Sequence, residues 1–448
     1  MMTHRYVMGT ILSAMMATAA CSSSSNSDSN EEPLTYWQNV APIVNAKCVG
    51  CHQQGGIAPF ALDTYDAVKA RAAGIDGATQ AGHMPPFLMT HDGSCGDIER
   101  DEALTPAELA TLHRWASSDK NEGTPVEIPR TPAPVLDHAT EYRTPNFVPR
   151  ADPANPLASR DEYRCFGFRP GGTGTRYITG YHAIPGNPAI VHHAALYVVD
   201  PNGASYVAGK TNGQVVQALD DAGTDRDGWP CFGAAGDGVR FESSPAVWVP
   251  GQNVVDYPDG FGAPVRPDDL LVLQIHYNLP ASGQSPPPDS TNLRLRYQDH
   301  VDREVLFRSP DPLLDSLFRP QGPDTLPPGK REHPYSRELA RSDLDFTDDQ
   351  PAVEILGIMP HMHELGRKFE LTLHQAGGTG KDECIAHIDQ WNFHWQRFYW
   401  YKTRPKLTAD TIAKLTCVFD TSGKREPVSP GWGTENEMCL GMLMIAKP

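Results

Sequence analysis

From about residue 160 onward, apolar and polar positions alternate with a period of two in short runs. Tyr163 to Phe168, Arg176 to Tyr181 and Val191 to Val199 are examples, separated by Gly, Pro and Asn. That pattern predicts half-buried strands joined by turns, the signature of a β-sandwich. Leu270 to Tyr277 and Val353 to Leu356 are stronger apolar runs and predict buried strands. Upstream the period changes. Tyr36 to Lys47 reads as an amphipathic helix, and Thr105-Pro106-Ala107-Glu108 opens another, with Thr at the N-cap and Pro in the first turn. Leu109, Leu112 and Trp115 share one face of that second helix. Residues 34–122 therefore read as a small helical unit. Residues 123–156, punctuated by Pro125, Pro129, Pro132, Pro134, Pro145 and Pro149, read as a semi-rigid linker. The expectation is a mostly β protein preceded by a small α-helical domain.

Composition narrows this further. The 41 prolines and 39 glycines among 448 residues fit a loop-rich β protein. A net charge of −17 argues against nucleic acid and against a polybasic membrane-binding patch. His4 and Arg5 precede an apolar run from Tyr6 to Ala20 that ends Thr18-Ala19-Ala20-Cys21. This resembles a bacterial lipoprotein signal over residues 1–20, in which Cys21 becomes the lipidated first residue; a plain secretory signal is the alternative. Residues 21–33, rich in Ser, Asn and Asp, would then be a flexible tether. No later stretch approaches the ~18–20 apolar residues of a membrane span. The expected location is exported and lipid-anchored at the outer membrane, on its periplasmic or cell-surface face. Membrane contact would be through the anchor only, in a compartment where disulfides persist.

Two sets of residues carry chemistry. The first is Cys48-Val49-Gly50-Cys51-His52. C-x-x-C-H is the attachment signature of a c-type haem: two thioethers hold the porphyrin, and the histidine is an axial ligand to iron. A sixth ligand is offered by Met84 in Gly82-His83-Met84-Pro85-Pro86, with Met89 and His83 as rivals. A Met/His pair raises the haem potential. Residues 34–122 resemble a class I cytochrome c domain, which implies one covalent haem c held by Cys48, Cys51, His52 and Met84.

The second set is a series of histidines: His192-His193, then His276 ending its apolar run, then His361-Met362-His363. His361 and His363 lie two apart and so point the same way from a strand. Neighbours such as His192 and His193 point opposite ways on a regular strand, so joint binding of one metal needs a bulge there. Three imidazoles suit zinc or copper. Two imidazoles completed by a thioether suit copper, because soft sulfur favours Cu(I). Met438 offers that thioether beside Cys439, which can pair with Cys417 across a 22-residue span. Such a bridge contributes roughly 3–4 kcal/mol.

Residues from about 160 to 448 are similar to the copper type II, ascorbate-dependent monooxygenase family. Asp161-Glu162-Tyr163-Arg164-Cys165, Val191-His192-His193, Leu273-Gln274-Ile275-His276-Tyr277, Leu326-Pro327-Pro328-Gly329, His361-Met362-His363-Glu364-Leu365-Gly366 and Cys417 with Glu437-Met438-Cys439 carry the likeness. The resemblance implies two antiparallel jelly-roll domains, 157–303 and 304–448, facing across a solvent-filled cleft. His192, His193 and His276 would bind an electron-relaying copper. His361, His363 and Met438 would bind a second, where O₂ is activated and a substrate C–H bond hydroxylated. Cys417 and Cys439 would be disulfide-bonded, leaving Cys165–Cys231 and Cys95–Cys384 as candidate pairs.

Departures from the family pattern point away from its peptide substrates. Met359 stands where the peptide-amidating enzyme grips a carboxylate with arginine. Met442 and Leu440 replace a tyrosine and an asparagine that follow its Met-Cys pair. The expected substrate is a small, non-carboxylate molecule. An external donor, a redox protein or small reductant, would supply electrons through the haem to the first copper. A non-catalytic copper- and haem-holding electron-transfer lipoprotein would carry the same ligands.

Overall fold

The computed structural model describes residues 33–54, 58–99, 103–128, 135–151, 161–279 and 285–447, apart from 224, 233, 251, 314, 317, 318, 320, 345–350, 378, 379, 394 and 434. The expected signal, Cys21 and nearly all of the tether lie outside the described residues, as do parts of the linker.

The chain is mostly β, with sheets packed as sandwiches. A five-stranded sheet runs Trp229–Pro230, Asp161–Phe168, Leu270–Asn278, Val191–Val199, Ser243–Trp248. A four-stranded sheet runs His333–Leu339, Thr411–Phe419, Gly366–Gln375, Glu383–Ile388. Between them lies an 11-stranded sheet whose main path starts Asp97–Ile98, Tyr399–Thr403, Val353–His361, Leu440–Ala446. It continues Arg303–Arg308, Phe261–Val265, Arg176–Ile184, Asn292–Gln298, Ala139–Arg143. The alternating runs supply the inner faces: Ile178, Leu196, Leu273, Ile275 and Leu295 are buried in one core, and Ile355, Ile358, Phe369, Leu371, Leu415 and Ile445 in the other.

The expected boundary between the halves, at 303/304, lies in the strand Arg303–Arg308. This strand pairs parallel with Phe261–Val265 at Arg303 and Glu304, and antiparallel with Leu440–Ala446 along Val305 to Arg308. Leu356, Met359, Met442 and Met444 from the second half also enter the first core.

The helical unit has a core of its own, built on Tyr36, Val40, Val44, Val68, Leu112 and Trp115. The run Tyr36 to Lys47 begins as a wide π-type turn, Tyr36–Val40, before the α-helix Ala41–Lys47. Pro106–Ala116 is closed by a capping box: Thr105 Oγ1 accepts from Glu108 N, and Glu108 accepts from Thr105 N at 2.7 Å. Helix Asn212–Ala222, with a second capping box at Thr211 and Gln214, was not expected from the alternating pattern around it.

One segment of that unit leaves its own core. Met89 and Ile98 are buried in the core of the second half. Asp97 and Ile98 pair with Thr403 and Tyr401, Thr90 N donates to His387 O, and Cys95 is disulfide-bonded to Cys384. Cys165–Cys231 and Cys417–Cys439 are the other two disulfides among the described residues.

Candidate functional site

His192, His193 and His276 come together because a bulge interrupts one strand pair. In the ladder between Leu270–Asn278 and Val191–Val199, His276 faces His193, but the next residue, Tyr277, faces Val191. His192 is the extra residue, and the bulge turns it toward the same cluster as its neighbour. One ligand atom from each of the three lies within 4.8 Å of the others. His193 Nδ1 is 3.3 Å from the Nδ1 of His192 and 3.3 Å from that of His276.

The third histidine has its tautomer set from outside. His276 Nε2 donates to Asp161 Oδ1 at 2.9 Å, which leaves the Nδ1 lone pair for a metal. Asn278 Nδ2 donates to the same oxygen, and the Tyr163 ring stacks on His276 at 4.0 Å between centroids. A carboxylate behind an imidazole is the usual support for a metal-binding histidine. Burial holds His276 below the usual histidine range, and holds His193 further below, with the neighbouring imidazoles adding to it. Neutral imidazole is the form that binds metal.

The second set lies where Val353–His361 runs alongside Leu440–Ala446. Met359 faces Met442 and His361 faces Leu440 across the ladder, and the rings of His361 and His363 are 5.1 Å apart. Gln396 Nε2 donates to Phe393 O at 2.8 Å, so its Oε1 faces His361 and accepts from Nδ1. His363 Nδ1 donates to Asn436 O at 2.9 Å, and a carbonyl can only accept. Both Nε2 atoms are therefore the ligating ones. Burial pushes His361 down to about 4 and His363 down to about 3.

Met438 is buried beside them on the wall of the same cavity. Its neighbour Glu437 braces the site, accepting from His363 N at 3.0 Å and Leu365 N at 2.7 Å. Burial raises that carboxyl to about 8, against the pull of the backbone N–H groups. The turn after His363 requires Gly366, since a Cβ there would lie 2.8 Å from Met362 Cβ and from Trp391 Cδ1. The Cys417–Cys439 bridge fixes the strand start directly after Met438.

The two histidine sets share one environment. A cavity of about 100 Å³ is lined by His193, His361, His363 and Met438, with Met359, Met442, Leu440, Val247 and Val249 among its apolar walls. Phe393 stands between the sets, stacked on His192 at 4.5 Å and edge-on to His363 at 5.9 Å. The resemblance implies a solvent-filled cleft; the described residues outline a small, mainly apolar and partly open pocket where ligands of both sets meet.

In the C-x-x-C-H unit, Cys48 and Cys51 are both thiols, and burial pushes Cys48 up to about 12. His52 Nδ1 donates to Phe60 O at 3.2 Å, leaving Nε2 as the ligating nitrogen. Pro85 and Pro86, directly after Met84, line the same cavity as Gly50 and Cys51. Among the rival ligands, His83 is exposed, and Met89 is buried in the core of the second half, turned away from this role by its packing.

The donor sets fit both groups that the sequence points to. Two oriented imidazoles and a thioether suit copper, three convergent imidazoles suit copper or zinc, and two thiols with a backed histidine suit a covalent haem. Asp161, Phe393, Gln396 and Glu437 were not singled out as site residues from the sequence. Asp161 and Glu437 do stand inside family-like stretches, whereas Phe393 and Gln396 sit in an aromatic loop with no ligand spacing.

Residues 323–447 match the family described as "Copper type II ascorbate-dependent monooxygenase, C-terminal domain". Over 205 residues, 44% of this chain, the sequence is 25% identical to "DBH-like monooxygenase protein 1" of Homo sapiens. Over a stretch of the same length it is 21% identical to "Tyramine beta-hydroxylase" of Caenorhabditis briggsae. These matches span about a third of each relative, 32% and 33% of their lengths. Among solved structures, the empty particle of cowpea mosaic virus shares 12% identity over 65% of this chain and 78% of its own, at a TM-score of 0.26, which bears on neither fold nor function. Residues 323–447 are thus similar to the C-terminal domain of the copper type II ascorbate-dependent monooxygenase family.

Proposed function

We propose that the protein is a copper-dependent monooxygenase that hydroxylates a C–H bond of a small, apolar, non-carboxylate substrate, with electrons supplied through the fused c-type haem. We read its halves as the jelly-roll pair of that family and the anchored, exported location as its setting. The observation that carries the reading is the shared cavity. His361, His363 and Met438 reach it from one half and His193 from the other, all four aligned on one small space.

The reaction is R–H + O₂ + 2 e⁻ + 2 H⁺ → R–OH + H₂O. Copper at the two sites would supply one-electron chemistry and O₂ binding, and the haem would supply one-electron carriage from an external reductant. The chain's own residues do the rest. Gln396 and Asn436 hold His361 and His363 with Nε2 turned to the site, and Asp161 holds His276 with Nδ1 turned to the cluster. Met438 provides the soft donor that favours the reduced metal. Met359, Leu440, Met442, Val247 and Val249 form an apolar wall that selects against charged substrates. No Lys or Arg is among the described residues lining the cavity, so a substrate carboxylate would have no partner there.

The test is reductant-dependent O₂ uptake by copper-loaded protein against a panel of hydrophobic and aromatic compounds, with mass spectrometry for a product one oxygen heavier. Copper redox cycling with no substrate-coupled uptake across such a panel favours the electron-transfer reading instead.

A further inference from the structure

Among the described residues, the attachment loop of the helical unit shares a cavity with residues of both halves, and the three-histidine cluster is not on its lining. Gly50 and Cys51 of that loop, with Pro85 and Pro86, share the cavity with Val249, Pro250, Gln252 and Asn253 of the first half and with Trp395, Gln396 and Arg397 of the second. The position is held covalently by Cys95–Cys384 and by the burial of Met89. Arg397 also lies over the ring of Phe87, 5.9 Å from its centroid. Gln396 has a second role, because it also lines the metal-site cavity and accepts the hydrogen bond from His361 Nδ1. Val249 and Gln396 both line the two cavities, but of these two only Gln396 has a polar side chain, and it is hydrogen-bonded to a metal-binding imidazole. The three-histidine cluster is a step further along the same segment, through Phe393, which receives a hydrogen bond from Gln396 and stacks on His192.

We propose that electrons pass from the haem into the oxygenase through Trp395 and Gln396, and that they arrive at the His361/His363/Met438 site rather than at the three-histidine site. This rests on the copper and haem reading above. In each transfer the haem iron goes from Fe(II) to Fe(III), and one copper held by His361, His363 and Met438 goes from Cu(II) to Cu(I). An external one-electron reductant, ascorbate in the test, returns the iron to Fe(II). Tunnelling weakens steeply across through-space gaps, and once the cavity is crossed, Gln396 reaches His361 by one hydrogen bond but reaches His192 only through Phe393. Trp395 and Gln396 act as positioning residues, not as catalytic ones.

The full-length protein, loaded with Cu(II) and freed of O₂ and substrate, is given less than one equivalent of ascorbate. The haem Soret band and the Cu(II) paramagnetic signal are then followed together. Fast reoxidation of the haem should persist in His192→Ala/His193→Ala and disappear in His361→Ala/His363→Ala. Trp395→Ala should lose the fast phase with haem and copper contents unchanged, and Trp395→Phe should restore it. Loss of the fast phase in the His192/His193 variant but not in the His361/His363 variant overturns the proposal, as does a Trp395→Ala protein that transfers normally. Wild-type protein that binds no copper, or carries no haem surviving denaturation, overturns the functional reading itself, which separates the two failures.

Discussion

Burial holds His193, His276, His361 and His363 below the ordinary histidine range, so the folded metal-free chain refuses protons that the unfolded chain accepts. Unfolded histidine titrates near ~6.5. His361 protonates in the fold only at about 4 and His363 at about 3. Between those limits the unfolded state binds more protons, and stability falls as pH falls, by up to ~1.4 kcal/mol per pH unit for each imidazole. Glu437, raised to about 8, acts in the opposite sense, but it is one group against four. The metal-free protein should therefore show a urea midpoint that drops from about pH 6.5 toward about pH 4. His361→Gln/His363→Gln should flatten that slope, and an unchanged slope would show that these imidazoles are solvated. Asp161 makes a separate prediction. Asp161→Asn keeps the shape but removes the charge that sets the His276 tautomer, and should weaken copper binding at the cluster about 10- to 100-fold in a chelator competition.

Strands were legible because alternation reports directly which face is buried. Val191–Val199 matches its expected limits, and Leu270–Asn278 and Val353–His361 extend theirs by only a few residues. Pairings between strands were less so. The bulge at His192 was foreseen only as a condition for joint metal binding, since register depends on the neighbouring strand and not on the run itself. Asp161 was visible only as part of a family-like stretch; its role depends on reaching a histidine 115 residues away. The segment around Met89 was read with the helical unit because nothing local shows that a methionine after two prolines packs into a distant core. The consequence can be measured. Met89→Ala empties a fully buried position and should cost about 2–5 kcal/mol in denaturant unfolding while leaving the haem spectrum alone. Met84→Ala should do the reverse, lowering the haem potential because the thioether that raises it is gone. A haem potential that falls with Met89→Ala instead would reassign the ligand.

At the scale of the molecule the expected unit 34–122 contributes to two cores, so its place against the β sheets is set by strand pairing and a disulfide as well as by the proline-rich segment. A Pro-rich linker alone predicts a tethered partner at high local concentration. The observed contacts go further and specify one orientation. On the proposed function, the three donor sets should hold two coppers and one covalent haem per chain. Elemental analysis and a pyridine haemochrome assay on denatured protein measure them. Stoichiometric zinc without copper, or haem that washes away on denaturation, contradicts that count.

Arg303–Arg308 has one further consequence. A hydrogen-bonded ladder that crosses from one half to the other, with apolar side chains packed beneath it, leaves no hinge between them. A ladder of this kind couples the two ligand sets, so their separation depends on strand pairing as well as on the side chains around them. Substrate entry is then set by the pocket's own mouth and not by a clamshell closing over it.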